Sequence, residues 1–559
     1  MKSTIPIRMV VALLMVAAPA APAAPAAPAL TAQATRPVEV RLDSIFAAWN
    51  SDTSAGCVLG VAQNGNTVIE RAWGRADIER GVALTPASIL EAGSVSKQFT
   101  AAAVLLLARD GRLTLDDEIH RWLPELPDYG TPVTLRQLLH HTSGMRDWGS
   151  IAAIEGWPRN TRALDHAYVL AITRRLRELN FPPGSEYDYS NTNFNLLAMV
   201  VERASGKPFP TFTRERIFVP LGMTHSSWRD DATRLVKGRA LSYSLLDGAW
   251  HSERAIESIY GNCCLLTTVG DLLKWNAAFD STRLGGAGFR EEQERQGVLT
   301  NGRRISYAAG LFVTDYRGEP VVMHDGATAG YRAFLARFPR ARLAVAMLCN
   351  AGNVDPSDLG YAAAAQFLPP AAPAAPAVAP TRRTVPPAAI ADKAGLYRNL
   401  RSMVPQRFAV TNGKLMMESG IELVPQSPTV FVAAAGGNRV LFDRRTDGHY
   451  DLRVATPTAD TVQAGWVDAP DTNRQALAGF VGSYSSDEAN TTVEVRADST
   501  GGCLILHREP DLHLALRPAY RDGFRGAGGM FVFVRNAAGQ VTEMRYTTDR
   551  VRNLRFVRQ

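Results

Sequence analysis

Three short stretches carry side chains whose types and spacing suit nucleophilic attack and proton transfer. The first is Ser94-Val-Ser-Lys97, followed by apolar Phe99, Ala102, Ala103, Leu106 and Leu107. That spacing is helical and sets positions 94 and 97 one turn apart on one face. A serine hydroxyl is a weak nucleophile until a neighbouring base removes its proton. A lysine serves as that base where burial or cationic neighbours depress its pKa. At a helix start, Ser94 also gains backbone N–H groups and the positive dipole end, which hold an oxyanion. Taken alone, the same residues also fit an N-cap serine beside an exposed lysine.

The second stretch is Tyr189-Ser-Asn191, after a Pro182-Pro-Gly turn and before a helical pattern. A tyrosine near a lysine can pass protons, and Asn191 can donate to a substrate carbonyl while also holding the lysine. The third is His324-Asp-Gly326, then Ala327, at the end of an expected strand. Glycine there lets a substrate backbone approach closely. Strand alternation sends His324 and Asp325 to opposite faces, so one of them can face a cleft. A loop tyrosine with an N-cap asparagine, and a strand-end turn with a hydrogen-bonded histidine, would look the same in isolation.

Such groups need a rigid frame. Residues 57–63 and 67–73 flank Asn64-Gly65-Asn66, a hairpin signal. Short strands are expected again at 306–314, 321–324, 331–337 and 343–348. Between them lie helical patterns at 94–109, 135–140, 163–179 and 193–204. A helix-rich insertion between strands from the two ends implies an α/β (α+β) domain, with an antiparallel sheet covered by helices beside a helical subdomain. Pro-Ala composition at 368–389 reads as a semi-rigid linker. Beyond it, Gly395-Leu-Tyr397 matches Gly482-Ser-Tyr484, and Phe442–Gly448 matches Phe533–Gly539. This repeat, rich in β-formers and turns, implies two small antiparallel β-barrel-like modules. The expected map is a signal and Pro/Ala leader at 1–34, a catalytic domain at 37–367, the linker at 368–389, and modules at 390–470 and 475–559.

The 559 residues are 46% hydrophobic and 21% charged, which excludes general disorder. The net charge of +7 is spread thinly, without the basic cluster that phosphate neutralisation needs, so no nucleic-acid partner is expected. Lys2 and Arg8, an apolar run at 9–18 and Ala32-Gln-Ala34 form an export signal, too short to span a bilayer. The mature chain is therefore expected in the periplasm or secreted, without a transmembrane span. The five cysteines show no zinc spacing. Their odd number leaves at least one free or paired between chains, and most of them read as core thiols; a Cys263–Cys264 bond under oxidising conditions is the less favoured reading.

In this order, the three motifs resemble the serine β-lactamase and penicillin-binding-protein superfamily, whose elements are S-x-x-K, Y-x-N or S-x-N, and K-T-G or H-x-G. The stretches 93–100 and 135–144 look like that family's nucleophile helix and following helix, and Gly261-Asn-Cys-Cys-Leu-Leu-Thr-Thr268 sits where class C-like members have glycines. The resemblance covers about residues 40–365. It implies that Ser94 is acylated, that Lys97 and Tyr189 transfer protons, and that Asn191 orients the substrate. His324 would replace the K-T-G lysine, with Gly326 beside it, and the backbone N–H groups of Ser94 and Ala327 would form the oxyanion hole. No metal or other cofactor is required. A mostly neutral histidine supplies less charge for a substrate carboxylate than a lysine. This favours small esters, amides or D-amino-acid peptides, and the two trailing modules look like the D-aminopeptidase branch. The alternatives are a DD-carboxypeptidase or β-lactamase acting on peptidoglycan stems or β-lactams, and a non-catalytic cell-wall or peptide-binding protein.

Overall fold

The computed structural model describes residues 36–559 except 160, 255, 371–379, 456–460, 499–501 and 510–511. The expected leader at 1–34 and the Pro-Ala centre of the linker lie outside the described residues.

The first unit is built on a six-stranded antiparallel sheet. Its spatial order is Phe312–Tyr316, Glu319–Thr328, Tyr331–Phe338, Leu343–Cys349, Cys57–Gln63 and Asn66–Trp73. Strands from the two ends of the domain thus lie side by side, with Cys57 opposite Cys349 and Gln63 opposite Leu343. The hairpin turn is carried by Asn64 and Gly65, at φ 54° and 82°, as its sequence implies. One face of the sheet packs with Leu42, Phe46, Trp73, Phe334, Phe338 and Met347 in a continuous core under the Val38–Ile45 and Pro356–Ala364 helices. The Lys97–Arg109 helix is buried from Lys97 through Leu107. The helix expected at 163–179 is shorter, His166–Thr173. Asp165 caps its start by accepting from Tyr168 N at 2.9 Å, and i→i−3 bonds from Arg175 and Leu176 tighten and end it.

Two cysteine expectations need correction. Cys57 and Cys349 form a disulfide, and so do Cys263 and Cys264, leaving Cys503 as the free cysteine. Strand pairing is what brings the first pair together, across a separation of 292 residues that spacing in the sequence does not reveal.

The second unit contains two closed antiparallel barrels of eight strands each, one from Gly395–Asn399 to Thr461–Trp466, the other from Gly482–Ser486 to Leu554–Arg558. Closure leaves no exposed sheet edge. The repeat seen in sequence is structural. Tyr397 Oη donates to Lys393 O at 3.1 Å, and Tyr484 Oη donates to Phe480 O at 2.7 Å. Phe442 and Phe533 occupy the two barrel interiors. Part of the expected linker belongs here, since Arg383 N donates to Pro425 O at 3.0 Å and Ala388–Ala391 forms a helical turn.

Candidate active site

Ser94 lies in a 3₁₀ turn, Gly93–Ser96, that leads into the Lys97–Arg109 helix. Residues i and i+3 eclipse in a 3₁₀ turn, so Lys97 stands directly over Ser94. Its Nζ donates to Ser94 Oγ at 3.1 Å, to Asn191 Oδ1 at 2.9 Å and to the Asn262 carbonyl at 2.7 Å. Lys97 is fully buried. Its Nζ also sits 4.7 Å from the centre of the Tyr189 ring. The first two sequence motifs therefore meet on one nitrogen, Lys97 Nζ.

Asn191 starts the Asn191–Ser205 helix. Its backbone N–H donates to the buried Asp147 carboxylate at 2.7 Å. A carboxylate at a helix N-terminus satisfies an otherwise unpaired N–H and opposes the dipole. Three further polar side chains of this helix anchor its neighbours. Thr192 Oγ1 accepts from Trp148 N at 2.8 Å, Asn193 Oδ1 accepts from Ser143 Oγ at 2.9 Å, and Asn195 Nδ2 donates to Asn262 Oδ1 at 2.8 Å. Asn191 is thus fixed from the 141–148 segment on one side and from Asn262 on the other.

The third motif approaches from the sheet. Gly93 has φ 50°, and a Cβ built on it would lie 2.6 Å from Ala327 N. A Cβ on Gly326 would lie 2.9 Å from Ser94 N and 2.2 Å from Ala92 O. Only glycine at both positions permits this closeness, and it brings the N–H groups of Ser94 and Ala327 to neighbouring positions. His324 is buried and Asp325 half-exposed, on opposite faces as alternation requires.

His324 has both ring nitrogens engaged. Nδ1 faces the Asp325 carbonyl at 2.5 Å, and Nε2 faces Tyr307 Oη at 3.1 Å. A carbonyl only accepts, so Nδ1 carries the proton and Nε2 accepts from the phenol. Burial, reinforced by Lys97, pushes the His324 pKa down to about 3, which keeps the ring neutral. Burial also holds the Tyr307 phenol far above its ordinary pKa. His141 packs beneath the site, its ring 4.3 Å from that of Tyr189 and 4.7 Å from that of Tyr307. It has φ 55° and accepts from Ser190 N at 3.2 Å through Nδ1.

Tyr307, Asp147 and Asn262 are not marked by any of the three motifs. Asp147 and Tyr307 carry no spacing signal. Asn262 falls inside the 261–268 stretch singled out above, but a backbone carbonyl has no sequence signature of its own. Among the described residues, the grouping compact enough to hold a metal is Glu91 with Cys263 and Cys264. There the sulfurs are bonded to each other, and Glu91 is held by Arg229 at 2.9 Å.

Known proteins resemble this chain over part of its length. A D-aminopeptidase of Cereibacter sphaeroides (strain KD131 / KCTC 12085) is 31% identical over 297 residues, 53% of this chain and 56% of that protein. The chain therefore spans about half the length of the curated relatives it matches. Among solved structures, the octameric penicillin-binding protein homologue from Pyrococcus abyssi has a TM-score of 0.53 at 22% identity, covering 76% of this chain and 99% of that one. The D-amino acid amidase from Ochrobactrum anthropi SV3 has a TM-score of 0.50 at 20% identity, covering 59% of this chain and 99% of that one. Both likenesses establish the fold. The family model described as Beta-lactamase matches residues 43–368, more than half of the sequence, and the chain belongs to the β-lactamase family.

Proposed function

We propose that the protein is an exported serine hydrolase that works through an acyl-enzyme on Ser94, with a small ester, an amide or a D-amino-acid peptide as substrate. The observation that carries this reading is the buried Lys97 Nζ shared by Ser94 Oγ, Asn191 Oδ1 and the Asn262 carbonyl. In its uncharged form Lys97 takes the Ser94 proton as Oγ attacks the substrate carbonyl carbon. The developing oxyanion lies between the N–H groups of Ser94 and Ala327. Tyr189, against the same Nζ, relays a proton to the leaving group. Water then attacks the acyl-enzyme by the reverse path and frees Ser94. Asn191 orients the substrate amide or ester.

The substrate class is argued from charge. Where a carboxylate-reading relative would present a lysine, this chain holds a neutral imidazole with both nitrogens committed. That arrangement supports acyl donors lacking the stem carboxylate, and kinship with a D-aminopeptidase supports D-residues among them. The test is hydrolysis of D- and L-amino-acid nitroanilides and an activated nitrophenyl ester, with benzylpenicillin as competitor. The proposal expects Ser94-dependent turnover of the ester and preference for the D-nitroanilide. A stable penicilloyl adduct or penicillin breakdown, without nitroanilide turnover, would transfer the assignment to a peptidoglycan-directed enzyme.

A further inference from the structure

Asn262, which gives Lys97 its third acceptor, is succeeded in the chain by Cys263 and Cys264, bonded to each other and buried. A bond between adjacent cysteines closes a small ring around their own peptide and removes backbone freedom at that point. Cys264 takes a left-handed φ of 81°. Its carbonyl accepts from Arg229 N at 2.9 Å. The next residue is tied to the nucleophile turn, since Leu265 N donates to Ser96 Oγ at 3.1 Å and Leu265 O accepts from Ala92 N at 2.8 Å. The cysteine pair thus joins two contacts of the catalytic turn, the carbonyl on Lys97 and the strand residue on Ser96.

Both sulfurs are held as well. Arg159 Nη2 donates to Cys263 Sγ at 3.5 Å, and Arg229 Nη2 donates to Cys264 Sγ at 3.1 Å. These guanidiniums are themselves fixed by buried carboxylates. Arg159 pairs with Glu257 at 2.5 Å and Arg229 with Glu91 at 2.9 Å. Two ion pairs on buried carboxylates converge on one disulfide, which is more than two small packing residues require.

We infer that the Cys263–Cys264 bond, clamped by Arg159 and Arg229, is a redox-sensitive positioning device that holds the Asn262 carbonyl on Lys97. The inference rests on the reading of Lys97 as the proton carrier for Ser94. A dithiol reductant opens the bond in two exchanges. One thiolate attacks a cysteine sulfur to give a mixed disulfide, and the second thiol then displaces it. Two electrons and two protons pass to the cysteines, and the reductant leaves as its own disulfide. The freed peptide loosens the Asn262 carbonyl while the substrate pocket keeps its walls.

The experiment begins with thiol counting on the unreduced, denatured full chain. One free thiol, that of Cys503, is expected; alkylation of Cys263 and Cys264, located by peptide mapping, would overturn the inference. Ester hydrolysis is then measured for the oxidised protein, for the dithiol-treated protein, and for the Cys263→Ala/Cys264→Ala variant, with kcat normalised to acylatable Ser94. The expected result is a fall in kcat of about tenfold on treatment, with KM changed by less than about twofold, restored on reoxidation. The variant should match the treated protein and ignore the dithiol, which separates this bond from Cys57–Cys349. Unchanged kcat, or parallel loss of kcat and affinity, would overturn the inference. Crystal structures of oxidised and reduced protein give a readout that needs neither turnover nor a folded variant. An unchanged Lys97–Asn262 contact in the reduced form would contradict the positioning role. Absence of any Ser94-dependent turnover in the oxidised protein would instead contradict the hydrolase assignment.

Discussion

The β-lactamase-family domain and the pair of barrels bury different chemistry. The domain interior contains Lys97, Glu91, Arg229, His141, Asn193 and Asn195, each at most 1% exposed. The barrel interiors are filled by Tyr397, Phe408, Phe431 and Phe442 in one and by Tyr484, Leu506, Phe531 and Phe556 in the other. Burying a charge costs several kcal/mol unless it is paired and hydrogen-bonded, so polar interiors persist where a function needs them. The barrels bury a few polar side chains too, among them Thr547 and Lys393. Lys393 is buried in the first barrel, its Nζ 3.8 Å from the centre of the Tyr450 ring and 2.7 Å from Asp392. The matching position in the repeat is Phe480, whose ring packs 4.8 Å from that of Phe533. At this position the first barrel buries a lysine over an aromatic ring, whereas the second buries an aromatic ring with the Arg535 guanidinium 5.0 Å from its centre. The buried lysine of the first barrel thus has an aromatic counterpart in the second, a difference that Lys393→Phe probes.

Four perturbations sharpen this contrast, and acid should have the largest effect. Burial lowers the pKa of His140 and His166 to about 4 and of His324 to about 3, from 6.5. The unfolded chain therefore binds more protons between those values. The stabilisation is complete above pH 6.5 and is lost as pH falls toward 4 and 3. The expected loss at pH 4.5 is on the order of 8 kcal/mol, read by chemical denaturation of the full chain at pH 7.5 and 4.5 with tryptophan fluorescence. A flat profile over that interval would mean that the three rings are not buried as neutral groups.

Lys97→Ala comes next. It should lower kcat/KM by about 10²- to 10⁴-fold for the activated ester, the largest activity loss of the three substitutions. Tyr307→Phe removes the phenol that donates to His324 Nε2. The cost should be about 1–3 kcal/mol in urea unfolding, the range for an unsatisfied buried acceptor, with a smaller loss of kcat than at Lys97. Lys393→Phe, which copies the second barrel's solution into the first, should change stability by less than about 1 kcal/mol and leave kcat unaltered. A large kcat effect there would show that the contrast between the two regions is wrong.

The parts of the site legible in sequence are those set by local spacing. Ser94 and Lys97 are three residues apart, and any helical turn brings them together. Tyr189 and Asn191 flank a helix start, and Gly326 stands before Ala327 on a strand. The repeat of Gly395-Leu-Tyr397 at Gly482-Ser-Tyr484 is enough to predict a pair of modules. Contacts made by backbone or by distant pairing are not legible. The Asn262 carbonyl has no side-chain signature, and Tyr307 reaches His324 only once the sheet has formed. The Cys57–Cys349 bond depends on strands from opposite ends of the domain lying in register. The cysteines at 263 and 264 read as packing residues because nothing local shows that Arg159 and Arg229 converge on them.

The central claim is that Ser94 is the acylated nucleophile. Intact mass after brief exposure to an activated nitrophenyl ester, followed by peptide mapping, tests it directly. The account predicts one acyl group per chain on the peptide containing Ser94 and none on Ser94→Ala, which should also lose turnover. Labelling elsewhere, or full activity in Ser94→Ala, would contradict it.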